Sequence, residues 1–388
     1  MKTVMKLESE PSQDEQCLVD YQLTGVSSRC QRFSNWTPEG HILRQTSIVF
    51  VFLLCGIVSQ LGCSSGSKRS GLFLITQNKR VGYIDHQGQI VINPQFESAG
   101  DFSEGLAVVS VGQKFGFINT RGEFVINPQF ESASAFSDGL AAVMFNNKSG
   151  FIDKSGKMVI DPQFDLTQGF LDGLCPVAIG QKWGFIDKAG KYVVSAQFED
   201  ARPFLNGLAA VKTNNKYGFI DKTGKLIIPY QFDNVNLWHF NINEGLTSWP
   251  LAVQVGEKWG FIDTAGKYVI NPQYEQANSF REGLASVRQG AKYGFIDTAG
   301  TFVINPQFES ASYFSNGLSP VSTAGKTGFI DKTGKYVINP QFEVANYFVD
   351  GLSSVLVKSK DEKYMTGYID ETGKYVFGPT EIEGNDEE

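Results

Sequence analysis

The residues able to do chemistry are few, and their spacing does not bring them together. The 388 residues include three histidines. His41 lies in a polar N-terminal stretch, His86 in a turn-like segment and His239 in an insertion. None has a second imidazole or a thiol at the short spacing that zinc ligands need. The five cysteines, Cys17, Cys30, Cys55, Cys63 and Cys175, form no such pair either. Cys175 stands in "GLCPVAIG" where equivalent segments carry Ala or Ser, so it reads as a small buried residue. An aspartate recurs at Asp85, Asp153, Asp187, Asp221, Asp263, Asp297, Asp331 and Asp370, with Asn119 in one copy. A calcium loop needs a dense Asp-x-Asp-x-Asp-Gly run. Here each acid stands alone at the start of a turn such as "DKTG", where a carboxylate accepts local backbone N–H groups. No serine or cysteine nucleophile motif is present. These residues predict no reaction, no cofactor and no metal.

Aromatic side chains offer a different chemistry. Residues 234–254, "NVNLWHFNINEGLTSWPLAVQ", carry extra length on both sides of a Gly245-Leu246 pair and bring in Trp238, His239 and Trp249. Tryptophans on a loop stack on a sugar or anchor a protein partner. The competing reading folds them inward as a small satellite core. Trp183 and Trp259 mark the next faces on which a protein or polysaccharide could dock. The net charge of −7, with Lys and Arg scattered among acids, gives no basic stripe and argues against nucleic acid.

What must position these residues is one phrase repeated. Its glycine falls at Gly82, Gly116, Gly150, Gly184, Gly218, Gly260, Gly294, Gly328 and Gly367. The period is 34 residues, lengthened before Gly260 and before Gly367. Each unit reads as three short strands, such as "GLAAV", "KYGFID" and "KLIIP". A "DKTG" hairpin joins the last two, with Gly224 suited to positive φ. The proline is expected to end the third strand, and the "PQFESASAFSDG" type of segment to cross to the next unit. In "KYVIN", Tyr336 and Ile338 share a face opposite Val337, which predicts a strand buried on both sides. A glycine inside a strand marks a close approach. Here it is expected to let an aromatic ring of a neighbouring "PQF" lie on the backbone.

These phrases, "KWGFID", "INPQFE" and "FSEGLA", resemble the WG, or KWG, repeat found in tandem in many bacterial proteins. The resemblance covers residues 71–379 and implies a β-rich array without an assigned reaction. The tryptophan of the name is present at Trp183 and Trp259, while Phe115, Tyr217 and Tyr293 replace it elsewhere. The expected fold is all-β, about nine three-stranded antiparallel units in a curved open solenoid-like array. The alternative is a closed propeller-like ring. The open form is favoured because propeller blades usually have four strands and about 40–45 residues, and no strand is visibly borrowed across a seam.

The first seventy residues are different. Residues 1–46 form a polar extension that does not fit the pattern, consistent with a translation start placed too early. Residues 47–63 hold an apolar run, 48–58, of the length of a signal-peptide core, about 7–15 residues. The run is short of the roughly 20 residues a membrane helix needs. It ends at Cys63 and resembles a bacterial lipoprotein signal, which implies a lipid on Cys63 and a tether over 64–70. An uncleaved N-terminal membrane anchor is the alternative. Residues 380–388 are an acidic tail. The expected function is a non-enzymatic, exported repeat scaffold on a bacterial envelope that binds a protein or glycan. The alternative is an envelope spacer without a ligand.

Overall fold

The computed structural model describes residues 71–236 and 249–382, which form strands joined by turns and short irregular links. Nine antiparallel sheets follow one another along the chain. In the second sheet the strands are Ser98–Ala99, Leu106–Val111, Lys114–Asn119 and Phe124–Phe130, paired in that order. These are called here the short, leading, glycine and proline strands, and each sheet a blade. Leading and glycine strands are joined by two-residue turns such as Asn146-Asn147, at φ 48° and 58°. Positive φ at both positions matches the right-handed twist of the strands, and asparagine tolerates it. The expected "DKTG" turns form as read. Asp221 Oδ1 accepts the Thr223 and Lys225 N–H groups at 2.9 and 3.0 Å, and Gly224 has φ +86°.

Side chains on the glycine strand alternate between the two neighbouring blades, as a period of two requires. In blade 2, Phe117 joins the core shared with blade 3, and Ile118 the core shared with blade 1. Each blade is therefore apolar on both faces and stable only when sandwiched. Nine blades in an open row would have eight such interfaces. Nine are present. The ninth joins Phe73, Ile75 and Ile84 of blade 1 to Leu352, Tyr368, Val376 and Phe377 of blade 9. Tyr368 Oη donates to the Leu74 carbonyl at 2.8 Å, bonding residues 294 positions apart. The protein is a closed nine-blade propeller, and the open array does not form.

The reasons for expecting an open array fail at identifiable residues. Blades 2 to 9 have four strands, because residues such as Ser98–Ala99 leave the crossover and pair with the leading strand. Two residues are too few to display a strand's alternation. The proline does not end its strand. Phe124–Phe130 runs through Pro128, with its register to the glycine strand shifted between Phe115 and Phe117. As an edge strand with a bulge, it can do without that N–H. Nor is it buried on both sides, since Val337 is 49% exposed.

The repeated glycine does mark a close approach, but the approaching atoms differ from those expected. A Cβ on Gly116 would lie 2.5 Å from the Ile126 oxygen and 2.7 Å from the Pro128 nitrogen. These are backbone atoms of the proline strand in the same blade, brought in by the bulge. No aromatic ring of another unit is involved.

Acids after most "PQF" segments clip consecutive blades. Glu97 accepts the Gly112 and Gln113 N–H groups of blade 2, both at 3.1 Å, and lies 3.6 Å from Arg80 of blade 1. Glu131 and Glu199 make the same two-pronged contact with asparagine turns. The turn N–H groups, Gln113 first, hold the Glu97 carboxyl below its ordinary range.

Candidate interaction surface

The loops between short and leading strands are built alike in seven blades. Each places a phenylalanine against an aromatic ring on the glycine strand of the preceding blade. The pairs run from Phe117–Phe136 at 4.8 Å to Phe295–Phe314 at 4.9 Å. After this phenylalanine wedge, a small residue in each of these blades follows the leucine at the start of the leading strand: Ala107, Ala141, Cys175, Ala209, Ala285, Ser319 or Ser353. Burial pushes the Cys175 thiol up to about 12, so it stays protonated and unreactive. After the wedge comes a tight turn, such as Glu104-Gly105 at φ 52° and 88°, closed by reciprocal Ser103–Leu106 bonds. Its carboxylate reaches the next blade. Glu104 accepts the Gly139 N–H at 3.2 Å and pairs with Lys154 at 2.9 Å, and Glu282 repeats this with Gly317 and Lys332. A Cβ on these turn glycines would meet nothing within 4 Å, so this face of the ring is open.

Blade 6 breaks the pattern. Leu251 pairs with Ile262 just as Ala209 pairs with Ile220, which puts Trp249 and Pro250 where blade 5 has Gly207 and Leu208. The expected Gly245-Leu246 pair does not hold that place, and it lies outside the described residues, as do Trp238 and His239. Trp249 is half-buried, 6.1 Å from Phe219, the ring that a wedge phenylalanine would otherwise cover. It therefore packs into the blade 5–6 core. Its Nε1 donor and the Asn236 Oδ1 acceptor are buried without a hydrogen-bond partner among the described residues. These two atoms sit at the two stems of the insertion.

The same loop position is also unusual in blades 7 to 9. Arg281, 5% exposed, stacks its guanidinium 4.4 Å from the Tyr313 ring and 5.3 Å from the Tyr347 ring. The two tyrosines are 4.6 Å apart. Burial, reinforced by Tyr347, pushes the Tyr313 hydroxyl well above its ordinary value. In blades 2, 3 and 8 a serine stands in place of Arg281 and donates to the next blade's phenylalanine carbonyl at 2.5–2.7 Å. Sequence reading missed Arg281, although an arginine in a column of Ser, Leu and Val was the available signal.

Trp183 is 4% exposed inside the blade 4–5 core, and Trp259 is half-buried against the blade 6–7 core. Trp183 is thus held in the core, while Trp259 packs against its core and keeps part of its surface exposed. Among the described residues no three His, Cys, Asp or Glu side chains are placed to hold a metal. A buried acid, Asp200, is fully engaged by Tyr217 Oη at 2.5 Å and Arg202 at 3.1 Å. Cys63 lies outside the described residues.

The family described as WG containing repeat matches residues 82–115, 115–148, 150–183, 183–217, 217–248, 259–293, 293–326 and 328–360, most of the chain. The chain belongs to this WG-repeat family. Matched segments begin at the glycine strand, so each WG repeat straddles two blades. No curated protein matches the chain. Among solved structures, Hsv2 of Kluyvelomyces marxianus is similar at 11% identity, over 70% of this chain and 92% of that one. Its TM-score is 0.33, too slight a likeness to argue from.

Proposed function

We propose that this WG-repeat ring is a non-enzymatic scaffold, held at a bacterial envelope through Cys63, that binds a protein or glycan on the open face of blades 6 to 9. One observation carries the binding reading. Eight interfaces close without extra chain between blades, yet blade 6 adds a loop whose two stems hold a donor and an acceptor without a partner among the described residues. Loops that depart from a repeat commonly mark the binding face. Trp249 supports the neighbouring core, so the contact falls to Trp238 and His239, backed by the Arg281–Tyr313–Tyr347 stack. The spacer reading gains from the inward packing of Trp183, Trp249 and Trp259.

The test uses the full chain and an envelope extract. Trp238→Ala is expected to leave the thermal midpoint unchanged and to weaken capture of the recovered partner roughly 30-fold, the loss of one aromatic anchor worth about 2 kcal/mol. Equal capture by the variant would remove the blade 6 loop from the interface. Capture of nothing by either protein would favour the spacer. The anchor is tested separately, since a fatty-acid probe should label the wild type and not Cys63→Ala. Equal labelling, or none in the wild type, refutes it.

A further inference from the structure

Blade 1 has, among the described residues, three strands where every other blade has four. Among the described residues its leading strand, Phe73–Gln77, pairs only with Arg80–Ile84. Its other edge faces a cleft of about 350 Å³ lined by Thr76, Gln77, Asn78, Thr380 and Glu381. In blades 2 to 9 the chain leaving the preceding proline strand fills this edge. At the seam it does not. Glu381 pairs with Met365 as Phe130 and its equivalents never do, and the Ile382 N–H bonds back to the Tyr364 carbonyl at 2.9 Å. As far as Ile382 the C-terminal chain stays on blade 9, and among the described residues the edge of blade 1 is open.

The occupant can be read from register. Phe73 pairs with Ile84 as Ala107 pairs with Ile118, and Gly71 has positive φ as Gly105 has. Stepping back by the same 34 residues, "CSSGSKRSGL" at 63–72 lies over "ESAGDFSEGL" at 97–106. Ser64 and Ser65 fall on the short strand Ser98–Ala99, and Gly66 on Gly100. The facing partner also fits. Ser98 Oγ lies 2.6 Å from Ser110 Oγ across the pair, and Ser310 Oγ lies 2.8 Å from Ser322 Oγ. Twelve residues after Ser64 is Thr76, another hydroxyl. The main departure is Lys68 where Phe102 would be, and the structure accounts for it. Phe73 replaces the small residue that sits beneath a wedge, and it fills the blade 9–1 core itself.

We propose that residues 64–66 are the missing fourth strand of blade 1, added antiparallel to Phe73–Gln77 with Ser64 opposite Thr76. The segment ahead of the ring is then part of its closure and not a free tether. Cys63 is held at the seam beside Glu381, in the place Glu97 takes in blade 2. This assignment does not depend on whether Cys63 carries a lipid.

Disulfide trapping in the full chain tests it, in a Cys63→Ala background with bridges assigned by peptide mapping. Ser64→Cys with Thr76→Cys should close under mild oxidant at least about tenfold faster than the out-of-register pair Ser67→Cys with Thr76→Cys, because bridging needs Cβ atoms about 4 Å apart. Ile382→Cys with Thr76→Cys should close no faster than that control. Faster bridging from Ile382 would give the edge to the C-terminal chain and overturn the proposal. Equal rates for all three pairs would overturn it too, leaving the edge open.

Discussion

Gly116→Val is expected to lower the stability of the ring by about 3 kcal/mol, at the upper end of the cost of overpacking. The added Cβ alone would lie 2.5 Å from the Ile126 oxygen, 2.7 Å from the Pro128 nitrogen and 2.8 Å from the Asn127 carbon. All three are backbone atoms, so no rotamer change relieves the clash. The proline strand would have to move, and with it Ile126, which lies in the blade 2–3 core. Gly169→Ala is the matched control. That glycine lacks positive φ, and its Cβ would meet the Ser137 side chain at an ordinary 3.6 Å. It should be neutral or slightly stabilising, because alanine reduces the freedom of the unfolded chain. Denaturant midpoints measured on both variants decide the matter. A Gly116→Val midpoint equal to the parent's would show that the bulge yields freely, and the close-approach account would fail.

Much of this architecture was legible because it is periodic. Thirty-four residues separate Gly82 from Gly116, and the strand signals between them recur in a fixed order. The turn role of Asp221 followed from its position before Gly224. Closure was not legible, because it rests on single departures from the repeat. Tyr368 looks like a harmless variant of phenylalanine, but its hydroxyl reaches Leu74 across the seam. The fourth strand was hidden because Ser98–Ala99 is two residues long and lies in what reads as a crossover. At the candidate surface, Trp249 was visible as an unusual residue, but its direction was not. Only the pairing of Leu251 with Ile262 shows that it stands at a glycine position beside Phe219. An aromatic on an insertion looks the same in sequence whether it faces a partner or a core.

Phe136→Ala should cost about 3–5 kcal/mol, as large-to-small changes at buried aromatics do. The ring is fully buried, 4.8 Å from Phe117, and closes the blade 2–3 interface. Its loss leaves a void above Ala141, a member of the same core. The chain shows how such a void can be filled. In blade 1, where the 34-residue repeat aligns Lys68 with Phe102 in sequence, Phe73 stands in place of the small residue. Where blade 6 has its insertion, Leu251 does. Wedge and underlying residue thus share one volume, and close packing makes that volume nearly constant. Ala141→Leu alone should therefore destabilise by about 1–3 kcal/mol, through overpacking beneath an intact wedge. Combined with Phe136→Ala, the same change should restore about 1–2 kcal/mol, a coupling that only residues in contact display. Denaturant titration of the four proteins in this cycle measures it. Additive losses would mean that the two side chains do not share a cavity, and that the large residues in blades 1 and 6 have some other cause.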